Sequence, residues 1–560
     1  MRHSYFRKAS ITACIALVTM AITANAATRS SKREISRSLD IFSSVFKQLQ
    51  TSYVDTIDAE KSVTTAINAM LNDIDPYTNY IPESDQEDFM TLTTGTYGGI
   101  GSMIMQRDGN VYISEPYKDT PSQQAGLKAG DMFLKIDNDS VAGWKSDAVS
   151  ARLKGQAGTS VAITVKRPYT NGADSILTFN LTRAKIDIPS VPYYGVTHDN
   201  IGYIALTTFN DHSADAVKNA LMELKADKRV NSIVLDLRGN GGGLMESAVK
   251  IVGLFVPKGT EVLRTRGRGQ LNEQIYKTTR QPVDTDIRLA LLVDDETASA
   301  AEIVTGALQD LDRAVVLGER TFGKGLVQST RQLPYNGLLK VTIAKYYIPS
   351  QRLIQAIDYS HRNPDGSVAR IPDSLTNVFY TAAGRPVRDG GGITPDVKVE
   401  RPEISRLTYN LVAGNTIFDF ATKYVAEHPS IASPSTFEVD DTLYNAFKAF
   451  INPDKVQYDK LTEYMVEQLE DVTKREGYMN DSVQSQINQL KTMLHHDLYR
   501  DLDIKRADIS RYIATEFMKR YYFTAGTYEY LVRYDKDLNK AASILNNPDE
   551  YRRILSPAGK

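Results

Sequence analysis

Hydrophobic and polar residues follow different periods in different parts of this chain. Between residues 34 and 71 the apolar positions recur every three or four residues, which is typical of amphipathic helices. Asp73–Tyr80, with Pro76 inside it, breaks that pattern, so this region predicts an N-terminal helical hairpin. The helical spacing returns beyond residue 401, and we expect a helical C-terminal domain there.

The middle of the chain alternates short apolar runs with helical patterns. Runs of strand length and composition alternate with helix faces up to Leu317, which predicts an α/β core with a largely parallel sheet. The polar, basic segment Arg264–Arg280 interrupts this pattern, and we interpret it as a mobile, solvated loop near the functional site. The apolar runs are Gly202–Leu206, Ile233–Leu237, Leu289–Val293 and Ala314–Leu317.

Residues 95–185 read as a separate small domain. A glycine-rich segment, a short capped helix at Asp119–Gly126, two strands and a helix at Ala148–Leu153 follow one another. This order resembles a protease-associated PDZ domain, which implies that a peptide adds as a strand beside the second helix. The alternative is that the glycine segment is only a turn. The resemblance makes peptide-binding candidates of Gly98, Gly99, Ile100, Gly101, Val149 and Leu153.

Ser299 is the first candidate for chemistry. The strand pattern Leu289–Val293 ends shortly before it, and helix-favouring residues begin at Ala300. Its hydroxyl therefore lies where the first turn of a helix leaves amides unpaired. A lone serine beside two alanines is usually a helix cap, so Ser299 needs a partner that can accept its proton.

Lys324 is the candidate base, because it stands between two glycines that permit close packing and exclusion of water. Lowering a lysine pKa from about 10.4 to about 7 requires roughly 4–5 kcal/mol of differential solvation. Gln328 lies on the same face as Lys324 in either a strand or a helix, and could orient the amine. The alternative is a turn with an exposed lysine.

A third segment, Asp236–Gly243, ends a strand in a run of glycines. Glycines at such a place let backbone amides turn outward together, as an oxyanion hole requires. A phosphate-binding loop is the competing interpretation, but neither a Gly-Lys-Ser/Thr sequence nor Gly-x-Gly-x-x-Gly is present in this segment.

Together these motifs resemble those of the carboxyl-terminal processing, or tail-specific, serine proteases. The resemblance rests on the motifs Thr-Ala-Ser-Ala-Ala-Glu, Gly-Glu-Arg-Thr-Phe-Gly-Lys-Gly-x-x-Gln and Asp-Leu-Arg-x-Asn-x-Gly-Gly. It spans roughly residues 35–400. It implies that Ser299 is the nucleophile, Lys324 the general base and Gln328 the residue that orients the lysine. The oxyanion hole would use the amides of Gly242 and Ala300.

Two positions depart from the family pattern. Gly241 stands where the family usually has proline, and Gln351 where it usually has glycine. The first departure puts the identity of the oxyanion donor in question, whereas the second affects a turn outside the dyad. The resemblance also implies a multidomain α/β fold with a ClpP/crotonase-like protease core into which the PDZ domain is inserted.

Length, charge and composition limit the remaining choices. The chain has 560 residues, so several domains are expected. Its 66 basic and 68 acidic residues nearly balance, which gives no reason to expect nucleic-acid binding. We expect no cofactor and no metal, because the adjacent His495 and His496 face different ways on a helix and no glutamate is suitably spaced.

The N-terminus has the pattern of a signal peptide. Arg2, Arg7 and Lys8 precede an apolar run from residue 11 to 22, and Ala24-Asn25-Ala26 is a small-x-small cleavage pattern. A lipoprotein box around Cys14 is disfavoured because it precedes the apolar run. Cleavage after Ala26 would remove the chain's single cysteine, which excludes a thiol nucleophile and leaves no transmembrane span. We expect a periplasmic protein, with membrane association left open.

The predicted domains are a signal peptide at 1–26, a helical region at 27–94, a PDZ domain at 95–185, a protease core at 186–400 and a helical domain at 401–560. We expect an exported endopeptidase that binds accessible C-terminal tails and cleaves peptide bonds through an acyl-enzyme. A histidine triad using His198 or His212 is disfavoured, since neither has a nucleophile motif near it. Alternatives are an inactive PDZ-bearing scaffold and an apolar-ligand carrier. The helical ends are candidates for homo-oligomer or adaptor contacts.

Overall fold

The structure is a computed structural model that describes residues 33–557, except 171–172, 269–272, 364–366, 402, 457 and 459. The predicted signal peptide, residues 1–26, lies outside the described residues. The chain divides into two compact units, residues 1–80 and 81–560, which we describe separately.

The first unit contains two helices, as the hydrophobic period predicts. Helix α1 spans residues 33–52 and α2 spans Ala59–Asn72. The Asp58 side chain caps α2 by accepting a hydrogen bond from the Lys61 amide at 3.0 Å. The apolar stripe of α1, including Ile35, Leu39 and Phe42, is exposed. The short strand β1 (Asn79–Ile81) follows.

The PDZ domain has a sheet in the order β3-β4-β5-β7-β8, with β6 beside β5 and a separate pair β2-β9. Buried apolar residues of its strands, with Val149 and Leu153 of α5, form one core. Before the domain lies α3 (Gln86–Thr94). The strands are β2 (Thr96–Gly99), β3 (Ser102–Arg107), β4 (Asn110–Pro116), β5 (Met132–Ile136), β6 (Asp139–Ser140), β7 (Ser160–Thr170), β8 (Ala173–Thr182) and β9 (Ala184–Asp187); the helices are α4 (Pro121–Gln124) and α5 (Ser146–Leu153).

The protease core is built on a six-stranded sheet in the order β10-β11-β12-β15-β16-β23. β10 is antiparallel to β11, and the remaining neighbours are parallel. The middle strands are continuous apolar runs because both faces of a parallel sheet are covered. The bounds are β10 (Tyr193–Val196), β11 (Gly202–Ala205), β12 (Ser232–Asp236), β15 (Arg288–Val293), β16 (Val315–Gly318) and β23 (Val397–Lys398).

Different parts of the chain cover the two faces of this sheet. Helices α6 (Ser213–Ala226), α7 (Met245–Val252) and α8 (Ala300–Asp310) pack on one face. The C-terminal helices α16 (Lys536–Leu545) and α17 (Pro548–Ile554) pack on the other. The C-terminal helices therefore complete the core of the protease domain.

Two strands occupy the segment that the sequence predicted to be a mobile loop. β13 (Glu261–Gly267) and β14 (Glu273–Lys277) form a hairpin, so the loop prediction was wrong for most of Arg264–Arg280. Backbone pairing, core contacts of Val262, Leu263 and Tyr276, and cross-strand ion pairs from Arg264 and Arg266 to Glu273 hold this hairpin. β13 also pairs with β18 (Leu338–Tyr347), which pairs with β17 (Leu326–Gln332). Smaller strands are β19 (Ile357–Arg362), β20 (Val368–Arg370), β21 (Val378–Tyr380) and β22 (Pro386–Arg388).

The region beyond residue 401 is helical, as predicted, and has its own aromatic-rich core around Phe420, Phe447 and Phe517. No helix in the described part of the chain is long and apolar enough to cross a membrane. The remaining helices are α9 (Arg406–Ala413), α10 (Thr416–Glu427), α11 (Asp441–Phe450), α12 (Leu461–Arg475), α13 (Asp481–Leu494), α14 (Leu498–Ile504) and α15 (Arg506–Leu531).

Candidate active site

Ser299 lies at the turn between β15 and α8, as the sequence predicts. Its backbone has φ 57° and ψ −116°, a conformation that residues with a side chain rarely adopt. Every residue of α8 is buried, so the helix that Ser299 begins is fixed inside the core. The Ser299 side chain itself is half-buried. A strained backbone that a buried helix holds in place is typical of a functional position.

Glu302 holds the backbones of Ser299 and Lys324 side by side. One oxygen of its fully buried carboxylate, Oε2, accepts from the Ser299 amide at 2.9 Å and from the Lys324 amide at 2.8 Å. The other oxygen, Oε1, accepts from the Thr321 hydroxyl at 2.5 Å and from the Gly323 amide at 2.7 Å. The segments that carry Ser299 and Lys324 therefore meet at one carboxylate.

Burial sets the protonation of this carboxyl group. It raises the pKa of Glu302 to about 7, although the hydrogen bonds from Thr321, Lys324, Gly323 and Ser299 act in the opposite direction. These four hydrogen bonds favour the ionised form, but they offset only part of the effect of burial.

Tyr346 joins the same two segments from the other side. Its hydroxyl donates to the Lys324 carbonyl at 2.7 Å and lies 3.2 Å from the Ser299 carbonyl. The glycines beside Lys324 pack closely, as the sequence predicts: an added Cβ would lie 2.4 Å from Ala356 Cβ at Gly323 and 2.9 Å from the Gln355 amide at Gly325. Lys324 is half-buried between them.

Gly242 approaches Ser299 so closely that a side chain would not fit. Its φ is +95°, and an added Cβ would lie 2.7 Å from Ser299 Cβ and 2.8 Å from the Ala300 amide nitrogen. The Gly242 amide donates to Asn240 Oδ1 at 2.9 Å, so this candidate oxyanion donor is engaged in the structure. The Asn240 side chain in turn donates to the Leu206 carbonyl at 2.7 Å. The structure thus brings both candidate oxyanion residues, Gly242 and Ala300, to Ser299.

Arg238, at the start of the glycine loop, contacts three carboxylates. It forms ion pairs with Asp236 at 2.5 Å, with Asp535 at 2.6 Å and with Asp537 at 3.0 Å. Burial alone would lower the pKa of Arg238, but Asp236 and Asp535 raise it well above its usual value. Asp535 and Asp537 belong to the start of α16, so the C-terminal domain contacts the start of the glycine loop directly.

Gln328 lies on β17, where its side-chain amide donates to the Thr342 hydroxyl at 3.2 Å. A β-bulge between Val327 and Gln328 shifts the pairing of β17 with β18 at this position. Its contact with the Lys324 amine therefore stays a prediction.

The two departures from the family pattern differ in their structural consequences. Gln351 has φ +71°, a left-handed conformation that glycine adopts without strain, which explains why glycine is usual there. Gly241 is exposed, and a Cβ added to it would meet no atom within 4 Å. A different residue at Gly241 can therefore be accommodated sterically.

In the PDZ domain, Gly98 and Gly99 belong to β2, which pairs with β9. Ile100, Val149 and Leu153 are buried in the domain core, at 2%, 0% and 5% exposure. In this arrangement these three side chains face the core, so their contact with a peptide stays a prediction.

Metal-ligand clusters of three or more His, Cys, Asp or Glu side chains are absent from the described residues. His495 pairs with Glu463 at 3.1 Å, and His496 pairs with Asp501 at 2.7 Å. These local pairs link α12 and α14 to the segment between α13 and α14.

Sequence reasoning also missed Glu302, Tyr346, Asp535 and Asp537, which contact the candidate site or its glycine loop. Glu302 had a signal, because a glutamate three residues after a serine at a helix start forms a capping box. Tyr346 and the two aspartates had none, since their contacts with the site depend on sheet pairing and on the position of a distant helix.

Models of known protein families match three parts of this chain. A model described as peptidase family S41 matches residues 200–368, a PDZ domain model matches residues 112–167, and a model described as "Probable PDZ-protease, C-terminal helical domain" matches residues 407–545. A carboxy-terminal-processing protease of Bartonella bacilliformis is 32% identical over 386 residues, which cover 68% of this chain and 79% of that protein.

Two further similarities come from a relative and from a solved structure. The carboxy-terminal processing protease CtpA of Bacillus subtilis is 29% identical over 381 residues, which cover 68% of this chain and 78% of the relative. The structure of the photosystem II D1 C-terminal processing protease aligns with 64% of this chain and 92% of its own, at 26% identity and a TM-score of 0.35.

Proposed function

The chain belongs to the carboxy-terminal-processing protease family, and from that premise we propose that it is an exported serine endopeptidase with a Ser299–Lys324 dyad. The serine-protease class and the PDZ domain follow from the family. The dyad, the acyl-enzyme, the tail-binding mode and the export are our proposals.

One observation supports the dyad above the others. The backbones of Ser299 and Lys324 donate to the same oxygen of Glu302, at 2.9 and 2.8 Å, and both carbonyls lie within hydrogen-bond distance of the Tyr346 hydroxyl. Two buried polar groups thus hold two segments, 25 positions apart in sequence, in fixed proximity. Such preorganisation is what a nucleophile and its base require.

The proposed reaction has two halves. Ser299 Oγ attacks the carbonyl carbon of the scissile peptide bond as the neutral Lys324 amine accepts the hydroxyl proton. The tetrahedral intermediate collapses when the Lys324 ammonium returns that proton to the leaving nitrogen, which leaves an ester on Ser299. A water molecule, deprotonated by Lys324, then attacks the ester, and Ser299 recovers its proton from Lys324 as the second product leaves.

The oxyanion of each intermediate would accept from the Gly242 and Ala300 amides. Ala300 is the first residue of α8, where a helix leaves its amides without intrahelical partners. The Gly242 amide would exchange Asn240 Oδ1 for the substrate oxygen, a substitution of one acceptor for another at the same donor. Because a charged oxygen is the stronger acceptor, this exchange favours the intermediate over the resting enzyme.

The PDZ domain would hold the C-terminal tail of the substrate. β3 lies at one end of the sheet order, and no strand among the described residues pairs with its outer edge, beside which α5 lies. A tail could add to this edge as a strand, with its carboxylate at the amides of Gly98–Gly101. Substrates are therefore proteins or peptides with accessible C-terminal tails.

The proposed location is the periplasm. The N-terminal pattern of three basic residues, an apolar run and Ala24-Asn25-Ala26 supports export and cleavage after Ala26. We further propose that the domain boundaries are those predicted from the sequence, 27–94, 95–185, 186–400 and 401–560, and that the helical ends carry homo-oligomer or adaptor contacts.

The test compares wild type with Ser299→Ala on an unfolded protein that carries an apolar C-terminal tail. Wild type should cleave it, Ser299→Ala should not, and both should bind the tail peptide equally. EDTA and thiol reagents should leave the wild-type rate unchanged, since the dyad uses neither a metal nor a thiol. Equal cleavage by both proteins, or tail binding with no cleavage by wild type, as in an inactive scaffold, would contradict the proposal.

A further inference from the structure

The glycine loop contacts the start of α16 through Arg238. We propose that Asp535 and Asp537, at the start of α16, are positioning residues for catalysis: through Arg238 they fix the glycine loop against Ser299. This inference rests on the proposed function, because it assigns a role in the same reaction to a domain outside the protease core sheet.

The contacts of the Arg238 guanidinium restrain its orientation. Arg238 Nη2 lies 2.6 Å from one Asp535 oxygen and Nη1 lies 3.2 Å from the other, so the pairing is bidentate. Nη1 also donates to Asp537 at 3.0 Å, and Nε donates to Asp236 at 2.9 Å. The guanidinium is only 23% exposed. Three carboxylates from two domains therefore leave the guanidinium little freedom to turn.

Arg238 lies at the start of α16, beside Asp535 and Asp537. The start of a helix carries a partial positive charge, which disfavours a nearby cation. Asp535 reverses this effect: it caps α16 by accepting from the Asp537 and Leu538 amides and still binds Arg238. Without these two acidic residues, the start of α16 would repel the guanidinium that it now holds.

Arg238 lies immediately before the glycines that approach Ser299. Gly239 follows it immediately, and the Gly239 amide is held by Asp294 at 3.0 Å. Three residues further, Gly242 lies so close to Ser299 and Ala300 that an added Cβ would be within 2.8 Å of both. Loss of the Asp535 and Asp537 contacts would release the restraint on Arg238 and loosen the segment that supplies an oxyanion donor, where a displacement of about 1 Å can cost about a hundredfold in rate.

The other contacts that hold the glycine loop come from the protease core itself. Asn240 and Asp294 hold the loop from within the protease domain. Asp535 and Asp537 approach from a helix that packs on the opposite sheet face from α8. The C-terminal domain therefore has its own contact with the catalytic loop, separate from its apolar contact with the sheet.

The test uses Asp535→Asn and Asp537→Asn in the full-length protein. Asparagine also caps helices, so Asp535→Asn removes the charge and leaves the cap. Asp440→Asn is the matched control, because Asp440 caps α11 in the same way, by accepting from the Leu443 amide at 2.8 Å, away from the catalytic loop. Asp537 is not a cap, so its variant keeps the test valid if Asp535→Asn fails to fold.

We expect kcat for a short peptide to fall about tenfold to a hundredfold in both variants, while KM and tail-peptide affinity stay unchanged and both variants stay folded at the assay temperature. The affinity for a peptide aldehyde, whose adduct needs the oxyanion hole, should fall in parallel with kcat. Asp440→Asn should behave as wild type.

Two results would overturn the inference: unchanged kcat in both variants, or a loss of kcat accompanied by a lower melting temperature and matched by Asp440→Asn. Failure of the proposed function looks different, because wild type itself would then show no cleavage that depends on Ser299.

Discussion

Two polar clusters hold the segments around Ser299, and they are built differently. The Glu302 cluster lies inside the protease core: a fully buried carboxylate receives four donors from Ser299, Thr321, Gly323 and Lys324. The Arg238 cluster spans two domains, because two of its three carboxylates come from α16. The first cluster holds the Ser299 and Lys324 segments together, whereas the second holds the glycine loop from outside the core.

This difference predicts a gradient of effects. A change inside the Glu302 cluster leaves donors buried without an acceptor, which typically costs about 1–3 kcal/mol each. A change in the Arg238 cluster leaves polar groups that water can partly reach. Damage to the inner cluster should therefore be severe, and damage to the outer one graded.

The largest effect is expected at Gly242, where the glycine loop contacts Ser299. Gly242→Ala places a methyl group 2.7 Å from Ser299 Cβ, at a backbone φ of +95°. The glycine loop must then move away from Ser299, and we expect kcat to fall about a thousandfold, as with loss of an oxyanion donor. Gly241→Ala is the control, because its Cβ meets no atom within 4 Å, and it should keep near-normal kcat. Equal kcat values for the two variants would show that the reaction does not depend on the fit of Gly242 against Ser299.

The inner cluster is tested by Glu302→Gln. Glutamine has the same shape, but its NH2 group replaces an oxygen that now accepts two hydrogen bonds. The Ser299 and Lys324 segments should separate, and we expect kcat to fall about a hundredfold. Glu246→Gln, an exposed position on α7, serves as the control. Near-wild-type kcat in Glu302→Gln would show that the carboxylate does not hold the dyad together.

Tyr346→Phe should have a smaller effect. It removes one hydroxyl that bonds to the Lys324 carbonyl at 2.7 Å and leaves the Glu302 contacts in place. The loss of one such bond, about 1 kcal/mol, predicts a fall in kcat of up to about tenfold. Tyr347→Phe on the same strand, whose side chain contacts Arg266, is the comparison. If Tyr346→Phe reduced kcat as much as Glu302→Gln, Tyr346 would belong to the inner cluster in energetic terms.

The stability of wild type and of Glu302→Gln should depend differently on pH. The pKa of Glu302 is raised from 4.5 to about 7, so between these values the folded protein holds a proton that the unfolded chain releases. This stabilisation, roughly 3 kcal/mol from the size of the shift, is present below pH 4.5 and lost as the pH rises through 7. Between pH 5 and pH 8, the melting temperature of wild type should fall relative to that of Glu302→Gln. A constant difference between the two proteins would contradict the raised pKa.

The sequence predicted the fold where the physical signal is local. Continuous apolar runs identified the parallel strands, and helical periods identified the termini. The β13–β14 hairpin escaped prediction because charged residues such as Arg266 and Glu273, which pair across the strands, mask the alternation of apolar residues. Likewise, the C-terminal helices showed an apolar face, but nothing in their sequence indicates that Leu538 and Ala541 cover the second face of the protease sheet.

The same limit applies to the candidate site. Ser299, Lys324 and the glycine loop could be identified because each lies in a distinctive local pattern. Asn240 was not recognised as a partner of Gly242, since a side chain that accepts from an amide two residues away leaves no periodic signal. Arg238 lies 297 positions from Asp535, and their contact exists only once the chain has folded.

The most direct measurement maps the adduct of a fluorophosphonate by peptide mass spectrometry in wild type, Lys324→Met and Lys345→Met. Methionine keeps the length of the lysine side chain and removes its amine, and Lys345 is a lysine of the neighbouring strand β18. We expect the label on Ser299, forming at least a hundredfold more slowly in Lys324→Met and at the wild-type rate in Lys345→Met. A label on another residue, or labelling of Ser299 at the same rate without the Lys324 amine, would contradict the dyad.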